Sequence, residues 1–159
     1  MRTSILGLLL CSGRVAFAAN TPPPVPYPEG YRDWKHVKSM VIQEGHALYG
    51  AFGGIHHIYA NPAAERGYGK KPFEDGSVIV FELLEANAWG NAIQEGARKI
   101  VGVMHKDATR YACTGGWGFE GFKGDSRTER AVGANAFDAC YGCHAPRKDA
   151  DYTFSDIRR

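Results

Sequence analysis

The chain has 159 residues, with 19 Lys and Arg against 17 Asp and Glu, four cysteines and 44% hydrophobic residues. That length suits one domain, or a small domain with tails. A formal charge of +2 without a basic cluster excludes a nucleic-acid footprint, and eight Phe, eight Tyr and three Trp exclude a disordered chain. No apolar run is long enough for a transmembrane span. Twenty glycines count against an all-helical bundle, because glycine disfavours helix interiors.

Arg2, the apolar stretch Ile5 to Leu10 and the small-x-small Ala16-Phe17-Ala18 have the layout of a secretory signal peptide over residues 1–18. It predicts export to a bacterial periplasm and cleavage near Ala18. Cleavage removes Arg2, Arg14 and Cys11, which leaves a formally neutral mature chain with Cys113, Cys140 and Cys143. An odd number of cysteines cannot all pair within one chain, and Cys113 is the one left over.

Residues 19–29 read as a proline-rich extended leader with no packing role, and 30–159 as a single domain. Tyr31 to Trp34 opens the domain with one helical turn. Phe52 to Tyr59 is aromatic and β-branched around two glycines, which predicts a strand. Asn61-Pro62 signals the start of a short helix over Ala63–Arg66. Ser77–Leu83 is the clearest strand, with Ile79, Phe81 and Leu83 on one face and Val78, Val80 and Glu82 on the other. Trp89 to Gly96 reads as a loop, Lys99–His105 and Trp117–Phe122 as strands, and Ala134–Ala145 as helical up to Pro146. The fold class expected is α+β and β-rich: an antiparallel sheet with short helices.

The chemistry lies in Cys140-Tyr-Gly-Cys143-His144. This is the motif for covalent attachment of one haem c: the two thiols add across the haem vinyl groups as thioethers, and the adjacent imidazole ligates iron. A zinc site would need a fourth ligand, and Cys113 is the only other mature cysteine. A redox Cys-x-x-Cys is expected after a strand in a βαβ unit, not near the end of a β-rich chain. Export also brings the chain to the compartment where bacterial haem c is attached. An electron-transfer cytochrome fills the sixth iron position with Met or His. The candidates are Met40, Met104, His36, His46, His56, His57 and His105, and none lies in a motif that marks an axial ligand.

With Gly30–Trp34, Phe52–Pro62, Phe73–Leu84 and the haem motif, the chain resembles the cytochrome P-460 superfamily, and within it cytochrome c′-β. The resemblance covers most of residues 28–156. It implies an antiparallel sheet over the distal face of the haem (P-460-like fold) and a homodimer. Hydroxylamine-oxidising members carry a lysine cross-linked to the haem, and this chain has Phe81 at that position. Another distal position, basic in those enzymes, matches His56. The departure is similar to cytochrome c′-β, where phenylalanines crowd an open distal site, and it carries Phe52 and Phe81 over as residues facing haem. A basic residue flanks the proximal pocket in such proteins, and Arg147, three residues after His144, is the candidate, with a propionate-pairing or surface arginine as the alternative.

Two phenylalanines supply no hydrogen-bond donor and exclude water, so the pocket is expected to favour NO and CO over dioxygen, which acquires charge when bound. His144 is expected to donate its second N–H to a carbonyl or water. Two function classes remain at this point. One is a periplasmic five-coordinate haem protein in NO binding, scavenging or sensing. The other is a P-460-type oxidoreductase acting on hydroxylamine or NO, or an electron-transfer cytochrome c with a redox partner.

Overall fold

The computed structural model describes residues 24–158. The expected signal peptide, its cleavage site and Cys11 lie outside the described residues. Five strands form one antiparallel sheet in sequence order: β1 (Lys35–Ile42), β2 (Gly54–Ala60), β3 (Val78–Trp89), β4 (Ala92–Lys106) and β5 (Trp117–Lys123). The expected α+β, β-rich class is therefore the class observed. A short α1 (Tyr49–Phe52) precedes β2, and α2 (Pro62–Gly67) follows it, capped by the Asn61 side chain, which accepts from Ala64 N.

Both faces of the sheet are covered. Alternation along β3 sends Val80 to one face, where it packs with Tyr59, Val101, Val103 and Phe122 under Val25 and Tyr31. It sends Ile79 to the other, with Ala60, Trp117 and Phe119, beneath Ala64, Phe73 and Tyr152. Trp117 and Phe122 are fully buried, which stabilises the fold by roughly 1.5–3 kcal/mol for a side chain of Phe size.

Four sequence expectations need correction. The leader does pack: Val25 is buried in the first cluster and Tyr27 lies against it, its ring edge-on to Phe122. The sheet's first face needs an apolar cover, and this segment supplies it. Phe52 is not in a strand but ends α1, and β2 begins at Gly54. There φ is 134°, and a Cβ would fall 2.1 Å from the Leu84 carbonyl oxygen. Trp89 to Gly96 is not a loop but the tip of the β3–β4 hairpin. Gly90 (φ 57°) and Asn91 (φ 60°) take left-handed conformations, the backbone that a two-residue hairpin turn requires. The helical run does not stop at Pro146 but continues as a 3-10 turn over Ala145–Ala150, with the proline in its first turn, where its missing N–H costs nothing.

Candidate haem site

The chain after β5 runs through four short helical segments of differing pitch: 3-10 over Gly133–Asn135, π over Phe137–Tyr141, α3 over Gly142–His144, then the 3-10 turn Ala145–Ala150. The two cysteines of the motif are about one helical turn apart. Cys140 and Tyr141 pack against the second core cluster, while Cys143 is exposed. Burial pushes the Cys140 thiol up to about 11, with the Glu120 carboxylate and Cys143 adding to the shift. Both thiols are free. Cys113, expected as a leftover thiol, is not free.

His144 is held on three sides. Its Nδ1 lies 2.6 Å from the Tyr152 carbonyl oxygen, and its ring is 5.1 Å from Phe119 and 4.9 Å from Phe154. Burial lowers its pKa against the opposing pull of the Tyr152 carbonyl, so the ring is neutral at pH 7. Nδ1–H is then the donor, and Nε2 keeps a lone pair for a metal. Arg147 Nε donates to the Thr153 carbonyl at 3.3 Å, and its guanidinium lies 5.6 Å from the Phe154 ring centroid. Phe154 thus touches both His144 and Arg147.

The other wall stands on the same sheet face. Phe81 in β3 pairs with Ile58 in β2 and with Gly102 in β4, and Gly102 pairs with Gly121 in β5. Phe119, against His144, belongs to that face through Met104 and Ile79. The Phe52 ring meets Phe81 edge to face at 5.8 Å, and the buried His56 ring does so at 4.6 Å. His56 Nε2 donates to the Phe52 carbonyl, and Lys99 Nζ donates to the Gly53 carbonyl at 2.8 Å. Burial, with Lys99 and His57 nearby, lowers the His56 pKa despite that hydrogen bond, so His56 is also neutral.

The family model for cytochrome P460 matches residues 28–155. The chain belongs to the cytochrome P460 family. No curated protein matches it. Membership of the family implies haem c binding, and the residues present fit that cofactor. The free Cys140 and Cys143 and the Nε2 lone pair of His144 are the donor set the cofactor needs. Gly102 and Gly121 pair beside Phe81 and add no side chain to this face, so that the Phe81 ring lies close over Gly102, and Val132 and Ala131 close over Gly121. Among the described residues no group of three or more His, Cys, Asp or Glu side chains is arranged to hold a metal ion.

The remaining axial candidates scatter over the fold. His36 and His57 are linked through Ser39 on the opposite face, where His57 also bonds Glu95. His105 pairs with Val78 on that same opposite face, near Tyr111. His46 accepts from Leu48 N within its own loop. Met104 lies beside Phe119, on the His144 side of the glycine row. Met40 is an exposed β1 residue paired with His56. Sequence reasoning missed the Tyr152 carbonyl, which no side-chain pattern marks, and Phe119 and Phe154. The Gly102–Gly121 pairing could be found only once the strand register was known.

Proposed function

We propose that this protein is an exported mono-haem c protein that binds small neutral diatomic gases, NO and CO, at a five-coordinate iron. Cys140 and Cys143 hold the haem through two thioethers, and His144 Nε2 is the iron ligand. Bound there, haem c supplies an iron with one exchangeable ligand position. The chain's own residues decide what reaches it. Phe81 and Phe52 present hydrocarbon, exclude water and crowd a bulky ligand.

The observation that carries this reading is the commitment of His56. Its single N–H goes to the Phe52 carbonyl, so the neutral ring has none left for a bound ligand. Phe52, Phe81 and His56 thus offer a bound ligand no donor, which disfavours dioxygen, since it acquires negative charge when bound, and tolerates NO and CO. Phe81 stands where hydroxylamine-oxidising relatives carry a cross-linking lysine, and phenylalanine has no amine to form that link. The amine of Lys99 is bonded to Gly53 O.

The test is the ultraviolet–visible spectrum of the reduced holoprotein before and after NO, with the intact mass. A five-coordinate haem c spectrum that changes on NO addition, and a mass showing two thioethers and nothing more, are the expected results. A strongly red-shifted ferrous band or an extra protein–haem bond would place the chain with the hydroxylamine-oxidising enzymes. A six-coordinate low-spin spectrum indifferent to NO would make it an electron-transfer cytochrome.

A further inference from the structure

We infer that Asp151, buried behind the haem motif and paired with Lys106, is a positioning residue: it sets the Tyr152 carbonyl that accepts the His144 Nδ1–H and so tunes the histidine as an iron ligand. The inference rests on His144 being that ligand.

The backbone supplies the first reason. Asp151 (φ 48°) and Tyr152 (φ 63°) are consecutive non-glycine residues in the left-handed region, which side chains with a Cβ rarely adopt. Such a turn persists only where its surroundings over-determine it. It closes the 3-10 turn, with Asp151 N donating to Lys148 O at 2.9 Å and Tyr152 N to Arg147 O at 2.8 Å. Immediately after it, the Tyr152 carbonyl faces His144 at 2.6 Å.

The surroundings supply the second. The Asp151 carboxylate gathers donors from three separate segments: Lys106 Nζ at 2.8 and 3.1 Å from β4, Phe73 N at 2.8 Å from the loop before β3, and Trp117 Nε1 at 3.4 Å from β5. Lys106 also donates to the Gly115 carbonyl at 3.1 Å, and its ammonium lies 5.0 Å from the Trp117 ring centroid. Asp151 and Lys106 are 7% and 6% exposed. An ion pair buried this deeply is poor value as pure stabilisation, since an apolar pair of similar size is often as stable. What the charged pair adds is direction: it fixes one end of the left-handed turn to the sheet. The other end is fixed by the Tyr152 ring, which packs in the same core cluster and on which a Cβ at Gly115 would intrude at 2.2 Å.

A carbonyl held against Nδ1–H raises the basicity of the imidazole and strengthens its bond to a metal. Loosening the anchor should therefore weaken the axial bond without touching the haem. Wild type, Asp151→Asn and Lys106→Gln would be compared as ferrous holoproteins by resonance Raman spectroscopy of the iron–histidine stretch and by the midpoint potential. Both variants should load haem to the wild-type ratio, shift the stretch to lower frequency and move the potential upward. Lys106→Gln keeps the carboxylate with its Phe73 and Trp117 bonds, so it reports even where Asp151→Asn accumulates poorly. Wild-type stretch and potential in the folded variants, even with reduced thermal stability, would make Asp151 a merely structural residue and overturn the inference. Absence of an iron–histidine stretch in the wild-type ferrous protein with its thioethers intact would instead overturn the ligand assignment of His144, and the inference with it.

Discussion

The rings of Phe52 and Phe81 meet edge to face, 5.8 Å apart at an interplanar angle of 89°, although one closes a helical turn and the other lies in the central strand. That contact depends on a backbone detail rather than on strand alternation. His56 Nε2 and Lys99 Nζ hold two successive carbonyls, those of Phe52 and Gly53, and so fold the end of α1 back over the sheet. His56 lies edge-on to Phe81 as well, which gathers three rings on the sheet face that also carries Phe119.

Removing one ring tests the wall. Phe81→Ala should open room for ligands larger than a diatomic, raising the affinity for imidazole by about tenfold, or about 1.4 kcal/mol, while NO still binds. The cost in stability should fall below the ~3–5 kcal/mol of a fully buried phenylalanine, because Phe81 is only partly buried. Optical titration of the ferric holoprotein with imidazole reads the first effect and thermal melting the second. An unchanged imidazole affinity would mean that Phe81 does not limit access.

His56 is a brace rather than a ligand donor. His56→Leu leaves the Phe52 carbonyl without its donor and should lower stability by about 1–3 kcal/mol. The NO affinity should stay within about threefold of wild type, less than 1 kcal/mol. Stopped-flow association and dissociation rates give that affinity. A loss of affinity much beyond that range would show His56 acting on the bound gas.

How far the sequence carried this reading depends on which residues are considered. Ile79, Phe81 and Leu83 against Val78, Val80 and Glu82 was a two-residue period, and the two core clusters divide along it. The haem motif was legible because its chemistry needs residues at fixed spacing on one short segment. The strand β1 was not, since its Lys35-His-Val-Lys-Ser-Met stretch is mostly polar and exposed, with a bulge between His36 and Lys38. Nor was the packing of Val25, because a proline-rich segment carries no periodicity to show which side it buries. The Asp151 anchor joins residues far apart in sequence, and a left-handed turn at Asp-Tyr has no composition cue such as glycine.

Acid should weaken the fold in a defined window. Burial lowers the pKa of both His56 and His105 below the ordinary 6.5, against the Phe52 carbonyl in one case and the Asp107 carboxylate in the other. Each ring therefore binds its proton less readily folded than unfolded. The stability this contributes is complete above 6.5 and is lost as the pH falls from there through the folded values. The melting temperature of the holoprotein should be level from about pH 7 to 8 and decline below about 6.5. His56→Leu combined with His105→Leu should flatten that decline. A decline of wild-type steepness in the double variant would assign it to other groups.

The row from Phe81 through Gly102 to Gly121 limits side-chain size on the sheet face that carries Phe119. Neither glycine has a left-handed φ, so the backbone does not require glycine at either position. A strand would ordinarily prefer valine there. What glycine supplies is space: a Cβ on Gly102 would come 3.2 Å from Phe81 Cδ1, and one on Gly121 3.2 Å from Val132 Cγ2. Gly102→Val should therefore suit the strand and fail the cofactor. The protein should keep its far-ultraviolet β spectrum while its haem-to-protein ratio drops well below that of wild type expressed alongside the same maturation machinery. The added branches would displace Phe81 on the sheet face that also carries Phe119, the ring against His144. Wild-type loading and a wild-type NO-difference spectrum in Gly102→Val would mean that the haem sits elsewhere on this face.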